Sequence, residues 1–262
     1  MRRRAADIPR AAEPGHTAVT RRGRILVGTS GWAYDHWTPS FYPRELRAEN
    51  RLPFLAERLP SVEINRSFYS LPRAEVVSTW RDATPADFVF AFKASRYLTH
   101  MKKLKDTSES LATLLKSART LGGKLGPVLF QLPPGWRCDA GRLRGFLEAL
   151  PEGLRCAFEF RDASWYASEV LELLADHGVA FCIYELAGHA SPKETTADFV
   201  YVRLHGPESA YEGDYTGEVL EGWAHTLSSW AREGRDVFCY FDNDQAGYAA
   251  HNAVSLWGMV QG

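Results

Sequence analysis

Short apolar runs recur along the 262 residues, and each of them ends in a polar or charged cluster. Eight of these runs look like strands, and segments with apolar residues on one helical face lie between most of them. Such alternation predicts a parallel sheet with right-handed crossovers, and eight strands predict a barrel. The predicted strands are 25–29, 61–65, 88–93, 128–131, 155–160, 179–184, 199–205 and 237–242. The clearest predicted helices are 107–121, 142–150, 168–177, 219–233 and 248–259.

The alternation within the strands favours a barrel over an open sheet. In 88–93 the phenylalanines share one face, while Lys93 shares the other with Val89 and Ala91, because successive side chains of a strand point to opposite sides. An open parallel sheet is covered by helices on both faces and is apolar on both. Here one face is repeatedly polar, so we assign it to a barrel lumen that opens at the strand ends. Its polar members include Glu63, Asn65, Lys93, Glu159, Arg161, Arg203, His205 and Asp242.

The length suits a single TIM-type (β/α)8 barrel over residues 24–262. At least one connection, 185–198, is too short and polar for a full helix, so we expect it to be irregular. Residues 1–24 hold seven Arg against Asp7 and Glu13, with no apolar periodicity. We therefore expect residues 1–23 to form a disordered or loosely packed basic extension.

The composition is that of an ordinary globular protein, with 45% hydrophobic and 24% charged residues. Apolar runs fall short of the roughly 18 residues that a spanning helix needs, and the N-terminus lacks a secretory h-region. We expect a cytoplasmic protein with no membrane partner. The cysteines have no CxxC spacing and are expected to be reduced and structural. They are Cys138, Cys156, Cys182 and Cys239.

Several strand ends extend into longer motifs, which in chain order are VGTSGWAYDHW, VEINRSFYSLP, FVFAFKASRYLTHMKKL, GPVLFQLPP, FEFRDASW, YVRLHG and YFDNDQAGYAAHNA. From about Val27 to Trp257, this series resembles the domain of unknown function 72, or YecE-like, family. The resemblance implies a TIM-type barrel, and the family does not establish an activity. Two positions depart from the family pattern: Glu185 stands where many relatives have Asp, and FDND around Asp242 replaces the more usual FNND.

The polar strand ends suggest an enzyme that acts on an anionic small molecule, bearing phosphate or carboxylate, as a hydrolase, lyase or isomerase. The anion would be bound by a cationic floor formed by Lys93, Arg161, Arg203 and His205. Glu63 or Glu159 would act as general base, and His100 or His205 as acid. No cofactor is expected. The candidate catalytic residues are Glu63, Glu159, His100, His205 and Asp242. The candidate substrate-binding residues are Trp32, Tyr34, Asn65, Tyr69, Lys93, Gln131, Arg161, Trp165, Arg203 and Asn243.

Other hypotheses remain open from the sequence. A divalent metal would activate water as in barrel endonucleases and sugar isomerases, although no local metal-binding spacing supports it. Glu159 and Glu185 could be the carboxylate pair of a glycosidase, and Lys93 could form a Schiff base. The lumen charges could instead form a structural salt network, and the protein could bind an anionic ligand or, with less support, nucleic acid without catalysis. The metal ligands would be Glu159, Glu185, His205 and Asp242.

Overall fold

Eight parallel strands close into a barrel in the computed structural model, which describes residues 21–262. The strands are β1 (Ile25–Ser30), β2 (Ser61–Ile64), β3 (Val89–Lys93), β4 (Leu125–Gln131), β5 (Cys156–Glu159), β6 (Ala180–Leu186), β8 (Phe199–Leu204) and β9 (Asp236–Phe241), and a short β7 (His189–Ala190) is paired to β6. Their order is β5-β4-β3-β2-β1-β9-β8-β6, and pairing of β6 with β5 closes the ring. The predicted single-domain barrel is confirmed, whereas the basic leader, up to residue 20, lies outside the described residues.

Helices cover the outside of this barrel and bury their apolar faces against it. They are α1 (Arg51–Ala56), α2 (Ala74–Asp82), α3 (Ser108–Ala118), α4 (Ala140–Leu147), α5 (Ser168–Asp176), α6 (Gly217–Arg232) and α7 (Tyr248–Gln261). In α6, the buried Leu220, Trp223, Leu227 and Trp230 recur every three or four residues, the spacing that places them along one helical face. None of the helices in the described part of the chain is long and apolar enough to cross a membrane.

The connection between β6 and β8 contains a hairpin where the regular fold would have a helix. β6 continues through Leu186 and pairs antiparallel with β7. Ala187 and Gly188 between them both have positive φ, at 49° and 76°, as a two-residue loop with a type I′ backbone requires. Ser191 then accepts the backbone N–H of Tyr184 at 2.9 Å. The expected irregular connection over 185–198 is therefore confirmed.

The two faces of the barrel strands have different neighbours, as their alternation predicts. Phe90 and Phe92 face the helices, whereas Val89 and Ala91 belong to a smaller apolar cluster inside the barrel. Gly28 allows β1 to lie close to β2, because a Cβ there would stand 2.2 Å from the Ser61 carbonyl oxygen. Towards the carboxyl ends of the strands, the inner face becomes polar. That end holds the candidate site.

Candidate active site

Arg203, on β8, is fully buried at the centre of the polar end of the barrel. Its guanidinium binds carboxylates from three other strand ends. Nη2 lies 2.7 Å from Glu63 Oε1 and 2.9 Å from Asp242 Oδ2, and Nη1 lies 2.8 Å from Glu159 Oε2. Buried charges are costly unless they are paired and hydrogen-bonded. This one cation therefore joins the ends of β2, β5 and β9.

Two hydroxyl groups complete the surroundings of the Glu63 carboxylate. Ser30 Oγ donates to Oε1 at 2.5 Å, and the Tyr201 hydroxyl donates to Oε2 at 2.6 Å. Arg203 also approaches Ser30 Oγ, at 3.0 Å. Both carboxylate oxygens of Glu63 thus have donors, although the residue has no exposed surface. Ser30 and Tyr201 were not among the candidate site residues, but the same alternation that places Arg203 inside also places Tyr201 there.

Arg161 and His205 extend the network on the side of Glu159. Arg161 Nε hydrogen-bonds to Glu159 Oε1, and its Nη2 lies 3.0 Å from His205 Nε2. His205 Nε2 also lies 3.2 Å from Arg203 Nη1. Because a guanidinium can only donate, Nε2 is the accepting nitrogen in both of these contacts. Nδ1 lies 3.1 Å from Asp242 Oδ2.

The cations keep two carboxyl groups of this network, those of Glu159 and Asp242, ionised. Burial acts to raise the pKa of Glu159, but Arg161 and Arg203 outweigh it and hold that pKa well below its usual range. Burial likewise opposes ionisation of Asp242, yet Arg203 and His205 lower its pKa to about 2. Glu63 is the third carboxyl group of this centre. The three carboxyl groups lie close to three cationic side chains, those of Arg161, Arg203 and Lys93.

Lys93, the last residue of β3, differs from Arg161 and Arg203 because its amino group forms no ion pair within residues 21–262. Its backbone is fixed by Ser67 Oγ, which donates to the Lys93 carbonyl at 2.6 Å, and Nζ lies 4.5 Å from the centre of the Phe68 ring. Among residues 21–262, no carboxylate forms a salt bridge with Nζ and no hydrogen bond engages it. Burial, and after it the charge of Arg203, lower the pKa of Lys93 from 10.5 to about 8.

The side chain of Lys93 borders a cavity of about 330 Å³ at the mouth of the barrel. We call it the Lys93 cavity. It is large enough for a small metabolite and is lined by side chains from several strand ends and by the loop after β8. The lining residues are Asn65, Tyr69, Lys93, Ala210, Tyr211, Glu212, Asp242, Asp244 and Gln245.

Asp244 supplies a second carboxyl group to the Lys93 cavity. Trp37 Nε1 donates to its Oδ1, and His36 Nε2 lies 3.3 Å from the same oxygen. Burial is the largest influence on this carboxyl and raises its pKa to about 6, against the opposing effects of Trp37 and His36. The cavity therefore contains an acid and an amine whose pKa values are both displaced towards neutrality.

His100 lies near Lys93 but outside the Arg203 network. It is presented by a π-helical turn, Tyr97–Met101, and its ring meets Phe68 edge to face at 5.0 Å. Its Nδ1 lies 2.9 Å from the Thr99 hydroxyl. Burial, followed by the charge of Lys93, lowers the pKa of His100 to about 4. The ring is consequently uncharged at neutral pH.

Two further cavities border the Lys93 cavity. One, of about 440 Å³, includes Trp32, Tyr34 and Trp80 and shares Asn65 and Tyr69 with the Lys93 cavity. The other, also of about 440 Å³, is lined by residues that include Gln131 and Arg161, and it shares Tyr211 with the Lys93 cavity. Tyr211, which the sequence did not single out, stands over His205 with the ring centres 5.4 Å apart.

Several candidate residues do not line these cavities. Trp165 is fully buried, stacks on Phe160 and donates its Nε1 to the Trp136 carbonyl at 2.6 Å. Asn243 is also fully buried, and its Nδ2 donates to the Gly213 carbonyl at 2.9 Å and to Asn252 Oδ1 at 2.8 Å. Both side chains hold neighbouring segments in place.

The prediction that Glu185 faces inwards is wrong. β6 extends beyond it, so alternation places Tyr184 inside and Glu185 outside, on the side of Trp223 and Tyr215. Of the four residues proposed for a metal, His205 lies within 3.4 Å of Glu159 and 3.1 Å of Asp242, whereas Glu185 lies apart from them. The Glu159–Glu185 glycosidase pair is likewise separated by the sheet. Within residues 21–262, no group of three or more His, Cys, Asp or Glu residues is arranged to hold a metal ion.

Comparisons with known proteins place this geometry in a family. The chain is 28% identical to the UPF0759 protein YunF of Bacillus subtilis over 270 residues, covering 90% of this chain and 94% of that protein. It is 27% identical to the UPF0759 protein YecE of Escherichia coli over 157 residues, which cover 59% of this chain and 55% of YecE.

Solved structures agree with the sequence relatives. A DUF72 family protein from Thermotoga maritima superposes with a TM-score of 0.82 at 27% identity, covering 91% of this chain and all of that chain. A DUF72 family protein from Enterococcus faecalis gives a TM-score of 0.78 at 19% identity, covering 90% of this chain and 95% of that chain. The model of the family described as "Protein of unknown function DUF72" matches residues 26–262. The chain belongs to this DUF72 family.

Proposed function

We propose that this chain is an enzyme that binds a phosphate- or carboxylate-bearing small molecule in the Lys93 cavity and acts on it by general acid/base chemistry. The observation that carries the proposal is the amino group of Lys93. Arg161 and Arg203 form salt bridges with the buried carboxylates, whereas Nζ has no such bridge among residues 21–262 and borders a cavity. An anionic ligand would supply the missing counter-charge in a site of low dielectric.

Proton transfer in this proposal involves Asp244. Its pKa of about 6 leaves it able both to give and to take a proton near neutral pH, and it lines the same cavity as Lys93. Glu63, Glu159 and His205 then act as positioning residues, because they are fully buried and bonded to Arg203 or Arg161. His100, with its pKa of about 4, would serve as an acceptor of protons rather than as an acid.

The divalent-metal alternative has less support, because Glu185 lies on the other face of β6. Binding of nucleic acid by the basic leader concerns residues that the structure does not describe. Action on an anionic ligand in the Lys93 cavity is thus the function that the described residues favour.

A ligand screen tests the proposal. The wild-type chain, Lys93→Met and Lys116→Met would be heated with single phosphate- and carboxylate-bearing metabolites in a buffer free of phosphate and sulfate. Lys116 is exposed on α3, so its variant is the matched control for loss of one positive charge. A ligand at about 100 times its Kd stabilises the folded state by about 2.7 kcal/mol. We expect such stabilisation in the wild type and in Lys116→Met, and its loss in Lys93→Met.

Chemistry on the bound ligand is tested by proton exchange. Ligands that pass the screen would be incubated in D2O, and replacement of their C–H protons would be followed by NMR. We expect exchange with the wild type and much slower exchange with Asp244→Asn.

In the ligand screen, equal stabilisation of the wild type and Lys93→Met by the same ligands would show that the anion does not bind at this amine. That result would overturn the proposal.

A further inference from the structure

We propose that Lys93 is a nucleophile, and that its Nζ forms an imine with the carbonyl carbon of an aldehyde or 2-oxo compound that also carries a carboxylate or phosphate. The inference rests on the proposed function, because the anionic group is what brings the substrate to Nζ. It deepens that function by naming the substrate class and the bond that is formed.

The placement of Lys93 supports a covalent role. The side chain leaves the carboxyl end of β3 on the inner face, is only 6% exposed, and borders a cavity of about 330 Å³. A lysine held in a salt bridge keeps its proton and has no free lone pair, but no ion pair within residues 21–262 engages Nζ. Burial and the neighbouring Arg203 charge lower its pKa to about 8, which leaves about a tenth of the amine unprotonated at pH 7.

The reaction needs no reagent beyond the amine, the carbonyl compound and a proton carrier. The Nζ lone pair forms the C–N bond while the carbonyl π electrons move to oxygen, which takes a proton from the Asp244 carboxyl. The nitrogen returns a proton to Asp244, and the carbinolamine forms. Asp244 then protonates the hydroxyl group, and water leaves as the nitrogen lone pair forms the C=N bond. The remaining nitrogen proton stays on the imine, and Asp244 is left ionised. The sum is amine plus carbonyl plus the Asp244 proton giving protonated imine plus water.

The buried network tolerates this change in bonding. A protonated imine carries one positive charge at the position where the ammonium group carried it, so the balance with Glu63, Glu159 and Asp242 is preserved. Arg203 remains bonded to the same three carboxylates throughout. The intermediate therefore needs no compensating protonation in the core of the barrel.

Reductive trapping tests the inference with glyoxylate, a small aldehyde that carries a carboxylate. The full chain would be incubated at pH 7 with glyoxylate and cyanoborohydride, which reduces the imine to a stable secondary amine, and modified lysines would be located by peptide mapping. The exposed Lys116 is the reference within the same molecule. Because a larger fraction of a low-pKa lysine is unprotonated, we expect Lys93 to be labelled roughly tenfold faster than Lys116.

Lys93→Arg distinguishes the imine from simple anion binding, because arginine keeps the charge but forms no imine under these conditions. We expect Lys93→Arg to retain stabilisation by the anionic ligands of the screen and to lose the rapidly labelled site. Labelling of Lys93 no faster than Lys116 in the wild type overturns the inference. If Lys93→Met has also lost anion binding, the proposed function survives that result with Lys93 as an electrostatic contact.

Discussion

Lys93→Met removes an amino group whose burial in the charged form lowers the free energy of unfolding. Methionine has nearly the length of lysine and fills the same space beside Phe68 without a charge. The buried carboxylates retain their bonds to Arg203 after the substitution, because none of them forms a salt bridge with Nζ. The change therefore isolates the free energy of burying one ammonium group, and we expect the variant to be more stable than the wild type.

The magnitude follows from the pKa of Lys93 in the folded chain. Burial and the Arg203 charge lower it from 10.5 to about 8, a difference of about 2.5. One pKa unit corresponds to about 1.36 kcal/mol, so the protonated amine costs the folded state about 3 kcal/mol. Below pH 8 both the folded and the unfolded chain bind this proton, and the full cost applies. Between pH 8 and 10.5 the folded chain has released it, and the cost disappears.

Urea unfolding of the wild type, Lys93→Met and Lys116→Met measures this effect. At pH 7 we expect Lys93→Met to exceed the wild type by about 3 kcal/mol in the free energy of unfolding, and the difference to shrink as the pH rises from 8 towards 10.5. Lys116→Met should remain close to the wild type throughout, since its side chain is exposed. A Lys93→Met variant that is less stable at pH 7, or whose difference does not depend on pH, would refute the reasoning.

Three further substitutions test the packing of the centre. Arg203→Met leaves three buried carboxyl groups without their shared cation and should cost about 4 kcal/mol or more in urea unfolding; a loss below about 1 kcal/mol would contradict the network. Tyr201→Phe removes the hydroxyl that donates to Glu63 and should cost about 2 kcal/mol in the same assay. Gly28→Ala directs a methyl group at the Ser61 carbonyl and should cost about 1 to 3 kcal/mol, seen as a lower Tm.

The alternation of side chains predicted much of the centre from the sequence. Period two along β5 and β8 places Glu159 and Arg203 on the inner face, and the barrel brings them to 2.8 Å. The rule was not applied to Glu185, because the end of β6 was predicted at residue 184, two residues too early, and Glu185 was counted with the polar residues beyond the strand. Once the strand is continued to Leu186, the same alternation places Tyr184 inside the barrel and Glu185 outside it.

Which carboxylate each cation binds could not be predicted from the sequence, for a different reason. Alternation gives the face of each cation but not its distance from carboxylates on other strands, which depends on how eight strands tilt and stagger. The sequence therefore grouped Lys93 with Arg161 and Arg203 as one cationic floor. In the structure Arg203 binds three carboxylates, Arg161 binds Glu159, and Lys93 binds none among residues 21–262. Tyr211 was not predicted to line the cavity, because it belongs to a loop whose sequence shows no periodicity.

The distribution of charges also predicts which groups would take up protons when the proposed anion binds. Arg203 helps to hold the pKa of Glu159 well below its usual range and that of Asp242 at about 2, so these two carboxyl groups exchange no proton near neutral pH. The amine of Lys93, with a pKa of about 8, and the carboxyl of Asp244, with a pKa of about 6, both titrate there. An anion bound in the Lys93 cavity, as proposed, would raise both pKa values, because it favours positive and neutral groups over negative ones. We therefore expect ligand binding to be coupled to proton uptake at Lys93 and Asp244, which both line the cavity.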